Sequence, residues 1–360
     1  MRRALDLARL GEGYTRPNPL VGAVVVADGR VVAEGHHAGY GGPHAEAVAL
    51  ERAGDRAKGA DLYVNLEPCA HQGMTPPCTD RILAAGVRRV IVATRDPNPL
   101  VNGRGVARLR AAGISVVEGV LKEEATRLNE IFFHWIATGR PLVALKLALS
   151  LDGKIASRTG AARWITGPEA RREGHRLRRR HAAVVVGIGT VLADDPELTV
   201  RQVPGPSPVR VVLDTHARLP AGANVLSPHA PTVVATGPGV PARRRQELAA
   251  RGAEVWELPS DGERVALPAL LQRLGERGMD SVLVEGGGEV AWSFLSQGLV
   301  NKLYLLYAPL ILGGRAAVSA VGGAGFPSPQ AALRVDGLTV EQVGGDLLVS
   351  GYPRGGSAPP

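Results

Sequence analysis

The chain has 360 residues, 45% of them hydrophobic and 21% charged, the balance of a soluble globular protein with length for two cores rather than one. No apolar run approaches the roughly 18 residues of a membrane span, and residues 1–10 alternate charged with apolar residues as an amphipathic helix does, unlike a signal peptide, so a cytoplasmic protein is expected. The net charge of +8 comes from arginines spread along the chain, with one dense run at Arg176, Arg178, Arg179 and Arg180; without basic stretches interleaved with aromatics, it suits small anions such as phosphates and argues against nucleic acid.

Apolar runs over 20–27 and 30–34 flank Asp28-Gly29, which predicts a hairpin. A helix is predicted over about 44–53, a strand over 61–66, a helix near 79–85 and a strand over 89–94. A further helix and strand lie between 105 and 117. Leu121, Ala125, Leu128, Phe132 and Trp135 recur at helical spacing and predict one helix over 121–138. Gly139-Arg140-Pro141 then breaks the chain, placing the domain boundary between 1–140 and 141–360. In the second domain, strands are predicted over 142–150, 183–187, 209–214, 232–235, 281–285, 303–311 and 347–350, with helices over 168–180 and 289–297. Segments 204–208 and 228–241 are rich in Pro and Gly, and the tail at 355–360 is expected to be disordered. Both halves alternate strands with helices, so each is an α/β layer domain.

Cys69 and Cys78 are the only cysteines. In a cytosolic chain a metal or redox role suits them better than a disulfide. His44-Ala45-Glu46 opens one predicted helix, Pro68-Cys69 follows a predicted strand, and Cys78 opens the next helix after Pro76-Pro77. A histidine and two cysteines are the three ligands of a catalytic zinc, which keeps its fourth position for water and makes that water acidic. Glu46, two residues from His44, is placed to take the water's proton and pass it to a leaving amine. The pattern is that of nucleobase deaminases, except that eight residues, not two, separate the cysteines.

In the second half, residues 281–285 read as a strand, then come Gly286-Gly287-Gly288 and a helix. Glycines there let backbone N–H groups approach a pyrophosphate. The run is not the G-x-G-x-x-G fingerprint, so a standard dinucleotide fold is not indicated. A second glycine-rich strand end, Gly187-Ile188-Gly189-Thr190, is placed to shape the same cleft.

Three runs, Arg16-Pro17-Asn18-Pro19-Leu20-Val21-Gly22, Pro43-His44-Ala45-Glu46 and the stretch from Leu66 through Glu67-Pro68-Cys69 to Cys78 with its eight-residue spacer, resemble the bifunctional riboflavin-biosynthesis deaminase/reductase family. So do Lys146 to Lys154, Trp164-Ile165-Thr166, Gly189 to Pro196, Leu198 to Arg201 and Glu285-Gly286-Gly287. The resemblance implies a cytidine-deaminase-like domain followed by a dihydrofolate-reductase-like one. It implies zinc-dependent deamination of 2,5-diamino-6-(5-phosphoribosylamino)pyrimidin-4-one, then NADPH-dependent reduction of the ribosyl group to ribityl. By the same resemblance Glu46 is catalytic, His44, Cys69 and Cys78 hold one zinc, and Asn18 contacts the base. Ala148, Trp164, Thr190, Asp194, Thr215 and the segment Gly287, Gly288, Glu289, Val290, Ala291, Trp292, Ser293 would touch NADPH. Ala162, Arg178, Leu198, Arg201 and Glu285 would face the substrate, with Arg178 and Arg201 suited to its phosphate. Ala162 departs from the family, able to contribute only through its backbone. Asp194 and Glu285 are the candidates for the reductase proton source, and His37 and His71 are expected in the wall of the deaminase pocket.

The long cysteine spacing and the scarcity of aromatics, 4% of the chain, argue against a deaminase acting on nucleic acid. Glu46 argues against a purely structural zinc, which needs four ligands and no acid beside them. The expected partner is a small phosphorylated pyrimidine. A homo-oligomer is compatible with the sequence.

Overall fold

In the computed structural model, which describes residues 1–354, Asp28 and Gly29 take positive φ (51° and 73°) and close the expected hairpin of β1 (Gly22–Ala27) and β2 (Arg30–His36). The tail at 355–360 lies outside the described residues. The chain divides into two units, Met1–Gly139 and a second beginning at Arg140.

The first unit adds β3 (Asp61–Leu66), β4 (Arg89–Thr94) and β5 (Ser115–Glu118), in the order β2-β1-β3-β4-β5. β1 runs antiparallel to β3, whereas β3, β4 and β5 are parallel. Strand alternation sorts the side chains to two faces. Ala23 and Val25 pack with helices α2 (Ala45–Ala53), α3 (Cys78–Ala85) and α4 (Arg104–Ala111), whereas Val24 packs under α1 (Arg2–Arg9). Leu5 of α1 meets Ala93 and Ala125 on that second face. The helix expected over 121–138 is two helices, α5 (Lys122–Leu128) and α6 (Glu130–Thr138). The break has a cause. Asn129 leaves helical geometry, with its side-chain Oδ1 accepting the Leu20 N–H at 2.8 Å and its Nδ2 donating to the Leu20 carbonyl at 2.9 Å. A buried backbone pair is satisfied at the expense of helix continuity.

The second unit runs β6 (Leu142–Ser150), β7 (Lys154–Ala156), α7 (Pro168–Arg180), β8 (Ala183–Gly187), α8 (Ile188–Asp194), β9 (Val209–Leu213) and β10 (Thr232–Thr236). There follow α9 (Ala242–Ala249), β11 (Ala253–Glu257), the short pair β12 (Ser260–Asp261) and β13 (Arg264–Val265), α10 (Leu267–Glu276), β14 (Ser281–Val284) and α11 (Gly288–Ser296). β15 (Lys302–Ala308), β16 (Val318–Ser319), β17 (Val335–Val343) and β18 (Asp346–Pro353) complete it. Nine strands form one sheet, β11-β10-β9-β8-β14-β6-β15-β18-β17. Ala183 and Val185 of β8 point to the core shared with α10 and α11, and Val184 and Val186 to the core holding Ile188, Val191 and Leu248. Continuous apolar runs are what a sheet buried on both faces requires. The strand expected over 303–311 stops at Ala308, before Pro309, which has no N–H to give a ladder. Residues expected as a strand end after Gly187 instead begin α8. No helix among the described residues is long and apolar enough to cross a membrane.

Candidate active sites

The parallel strands β3 and β4 deliver Cys69 and Asp96 just past their C-terminal ends, the edge where open α/β sheets bind ligands. His44 is the N-cap of α2, Glu46 lies in its first turn, and Cys78 is the first residue of α3 after Pro77. The Cys78 N–H at the start of α3 donates to Cys69 Sγ at 3.3 Å, which favours the anionic form of Cys69. His44 Nδ1 lies 3.2 Å from Cys78 Sγ and 3.7 Å from Cys69 Sγ, and all three ligand atoms lie within 4.8 Å of one another. A tetrahedral zinc with ordinary bond lengths spaces nitrogen and sulfur ligands about 3.6 Å apart, so the donor set fits that metal. The Cys78 thiol and N–H and the His44 ring hold Cys69 well below the usual thiol range, while Cys69 and burial push Cys78 up. The two sulfurs so placed favour a single shared proton between them. A dication offsets two thiolate charges.

Glu46 is buried, and that burial pushes its carboxyl up to about 7 against the opposing pull of His44. It opens into a cavity of about 330 Å³ that also takes in Asn18, His37, His71 and Asp96. His71 Nδ1 is buried there with no hydrogen-bond partner. On the far wall, burial raises Asp96 to about 7, although the Asn98 N–H donates to its Oδ1 at 2.8 Å. Below it, the Glu67 carboxylate accepts the N–H groups of Gly103 (2.9 Å), Val106 (3.1 Å) and Asp96 (3.3 Å), pinning the loop after β4 and the start of α4.

In the second unit β14 lies between β8 and β6 and runs parallel to both. β8, β9, β10 and β11 extend the sheet to one side of it, whereas β6 and β15 lie to the other. The C-terminal edge here is a switch point for ligand binding. A Cβ at Gly187 or Gly286 would come within 2.7 Å or 2.6 Å of the Val290 side chain, so these glycines let the first turn of α11 seat against the strand ends. Gly287 caps that helix, and a Cβ on it would lie 3.8 Å from Thr190 Oγ1. The first N–H groups of α11 have no acceptor within the helix.

Beneath this edge lies an ion cluster. The Glu285 side chain is only 7% exposed and accepts from both Nε (2.7 Å) and Nη2 (3.0 Å) of Arg178, with Lys146 Nζ at 3.5 Å. Burial alone would raise Glu285, but Arg178 and Lys146 hold it at about 2. The His175 ring beside them is driven down to about 4 by burial and by Arg178 and Arg201, and its Nδ1 accepts the Arg201 N–H at 3.1 Å.

The family model of the cytidine and deoxycytidylate deaminase zinc-binding region matches residues 1–94, and that of the RibD C-terminal domain matches residues 141–349. The riboflavin biosynthesis protein RibD of Bacillus amyloliquefaciens is 45% identical over 99% of this chain and 96% of its own length. This chain belongs to the RibD family. The solved structure of Acinetobacter baumannii RibD, form 1, is 40% identical, covers 98% of this chain and 97% of that one, and superposes with a TM-score of 0.86. A diaminohydroxyphosphoribosylaminopyrimidine deaminase/5-amino-6-(5-phosphoribosylamino)uracil reductase from Thermotoga maritima matches with the same identity and coverage and a TM-score of 0.83. As a RibD the chain is a bifunctional enzyme of riboflavin biosynthesis, with a cytidine-deaminase-like unit and a reductase unit related to the dihydrofolate-reductase-like fold.

Within the RibD frame the residues singled out from sequence fall into two groups. His44, Glu46, Cys69, Cys78, Asn18, His37 and His71 all line or border one cavity. In the reductase unit Thr190 and Gly287 meet, and Arg178 meets Glu285, but several other side chains are committed elsewhere. Glu289 accepts the Gly323 N–H (3.0 Å) and Arg264 Nη2 (3.0 Å), Arg264 Nη1 donates to Ser293 Oγ, Ala291 is wholly buried, and Trp292 packs on Phe326. Thr215 Oγ1 accepts the Val265 N–H. Trp164 is exposed on its loop against Arg171, and the Asp194 carbonyl accepts from Arg163. Leu198 is buried, Ala148 and Ala162 carry no polar side-chain atom, and Arg201 pairs with Glu197 while Arg178 is occupied by Glu285. Sequence reasoning missed Glu67, Asp96 and the ion partner Lys146. The signal for Asp96 was its place in Asp96-Pro97-Asn98-Pro99, directly after a strand of the ligand-binding edge.

Proposed function

We propose that residues 1–140 deaminate 2,5-diamino-6-(5-phosphoribosylamino)pyrimidin-4-one and that residues 141–360 reduce the resulting uracil's ribosyl group to ribityl with NADPH. The observation that carries the reading is the convergence of His44, Cys69 and Cys78 within 4.8 Å beside buried Glu46 in one cavity. His44, Cys69 and Cys78 would hold one zinc, whose Lewis acidity brings the pKa of a water toward neutrality. Glu46 takes the water's proton and delivers it to the departing amine, which leaves as ammonia. Asn18 orients the ring in the cavity that Glu46 also lines. In the second unit NADPH supplies the hydride. The backbone N–H groups that open α11, with Thr190 beside Gly287, would bind its phosphates. Arg201, paired with Glu197 but half-exposed, is the more open of the two arginines toward a substrate phosphate; Arg178 is largely buried and held by Glu285.

Purified protein given the diaminopyrimidine phosphate without NADPH is expected to yield only the product with one amine replaced by oxygen, identified by mass. Adding NADPH should convert it to the ribityl compound. Reduction without prior deamination, or NADPH consumption with neither product, would overturn the assignment. We further expect Cys78→Ser to lose zinc on dialysis, because a hydroxyl replaces a soft anionic donor. One zinc per chain retained by that variant would remove Cys78 from the ligand set.

A further inference from the structure

Asn18 and His37 meet in the wall of the deaminase cavity, with Asn18 Nδ2 3.2 Å from His37 Nε2. The other ring nitrogen, Nδ1, lies 3.0 Å from the Pro43 carbonyl oxygen. A carbonyl only accepts, so Nδ1 carries the proton. His37 is buried, its ring edge-on to His44 with centroids 5.5 Å apart. With its proton on Nδ1, the ring presents Nε2 as an acceptor, and the NH₂ end of Asn18 is the group that lies against it. The opposite amide orientation would set two lone pairs face to face.

We propose that His37 is a positioning residue, which, locked by the Pro43 carbonyl, turns the Asn18 amide so that Oδ1 faces the cavity and accepts a hydrogen bond from an N–H or amino group of the pyrimidine. Asn18 Oδ1 has no protein partner among the described residues, and the Asn18 backbone is itself fixed by its N–H to the Thr15 carbonyl (2.8 Å) and its carbonyl to Thr15 Oγ1 (3.2 Å). With the backbone held, the side-chain contact that orients the amide is the one from its Nδ2 to the His37 ring. The pocket thus reads a donor on the substrate at this wall. Pro43 directly precedes His44, so the same short segment sets both the metal ligand and the recognition group.

The inference rests on the reading that this cavity binds the diaminopyrimidine phosphate, and the test separates the two. Binding of that compound is measured by calorimetry to the full-length, zinc-loaded Glu46→Gln protein, in which turnover is expected to be slowed by a factor on the order of 10² to 10⁴. The same measurement is made with His37→Phe, Asn18→Ala and the pair combined on that background. His37→Phe and Asn18→Ala should each weaken binding about tenfold, the worth of one buried hydrogen bond. The pair combined should be no weaker than Asn18→Ala alone, because His37 acts only through Asn18. In the turnover-competent protein His37→Phe should raise KM more than it lowers kcat.

His37→Gln, whose acceptor reaches the Nε2 position, should recover most of the binding, whereas His37→Asn, which reaches only the Nδ1 position, should not. Zinc content is checked in every variant. If His37→Phe fails to fold or loses zinc, the Gln and Asn variants decide, and equal losses in the two would overturn the proposal. So would additive losses in the double variant. If the Glu46→Gln protein does not bind the diaminopyrimidine phosphate at all, the functional reading falls, and the proposal with it.

Discussion

Glu46→Gln is expected to retain one zinc per chain and to lose deamination by a factor on the order of 10² to 10⁴, the usual worth of a positioned general acid–base group. Glutamine keeps the length and polarity of the side chain, so the first turn of α2 and the His44 cap need not move. What it cannot do is accept a proton from water and return it to the amine. Glu46 is the carboxylate beside His44, Cys69 and Cys78, and Asp96 and Glu67, also on the cavity wall, are held by backbone N–H groups of the loop after β4. Those two are poorly placed to stand in. Metal analysis by plasma mass spectrometry, with single-turnover product formation, checks both halves of the expectation. A zinc-loaded variant deaminating at near the parent rate would take Glu46 out of the mechanism, while loss of zinc would make it a ligand.

The deaminase site was legible in the sequence because its chemistry is local and its residue types are scarce. The only two cysteines flank predicted elements, and a His-x-Glu opens a helix, so few arrangements were open. Features set by contacts distant along the chain were not legible. Asn129 splits a helix of sound periodicity because its amide satisfies Leu20, 109 residues away. Glu67 looks like one more acid in a motif until the fold brings three backbone N–H groups to it. In the reductase unit the glycines could be seen, but the reason for two of them is the Val290 side chain packed on Gly187 and Gly286. β17 gave only a weak signal because it is an edge strand exposed along nearly its whole length, with just Leu338 and Val340 alternating before Glu341-Gln342 breaks the pattern. The ion pair of Arg178 was not legible either, since an arginine's partner cannot be read from composition; it is Glu285, 107 residues on.

That pairing carries the second large expectation, which concerns stability. Glu285→Leu should destabilise the reductase unit by about 3–5 kcal/mol, the cost of leaving buried charge without its counterion. Arg178 is largely buried and would keep only the Thr199 carbonyl, at 3.2 Å, while Lys146 would lose its anion. The pH dependence gives an independent measure. Glu285 is held at about 2, well below its ordinary value of 4.5, with burial opposing and Arg178 and Lys146 prevailing. A carboxyl lowered in the folded state contributes stability that is complete above its unfolded pKa and is lost as pH falls toward the folded one. The window is therefore from about 4.5 down to about 2, and the full contribution is about 3 kcal/mol. Glu285→Gln, which still accepts from Arg178 but carries no charge, should cost less than leucine and should lose that acid-sensitive component. Urea unfolding followed by tryptophan emission reads this unit well, because Trp164, Trp256 and Trp292, three of the four tryptophans, lie in it and Trp256 is buried. A Glu285→Leu protein that unfolds at the parent's urea midpoint at pH 7 would mean that the cluster contributes nothing to the fold. The same variant falling in stability as steeply as the parent below pH 4.5 would place the acid sensitivity in another carboxylate.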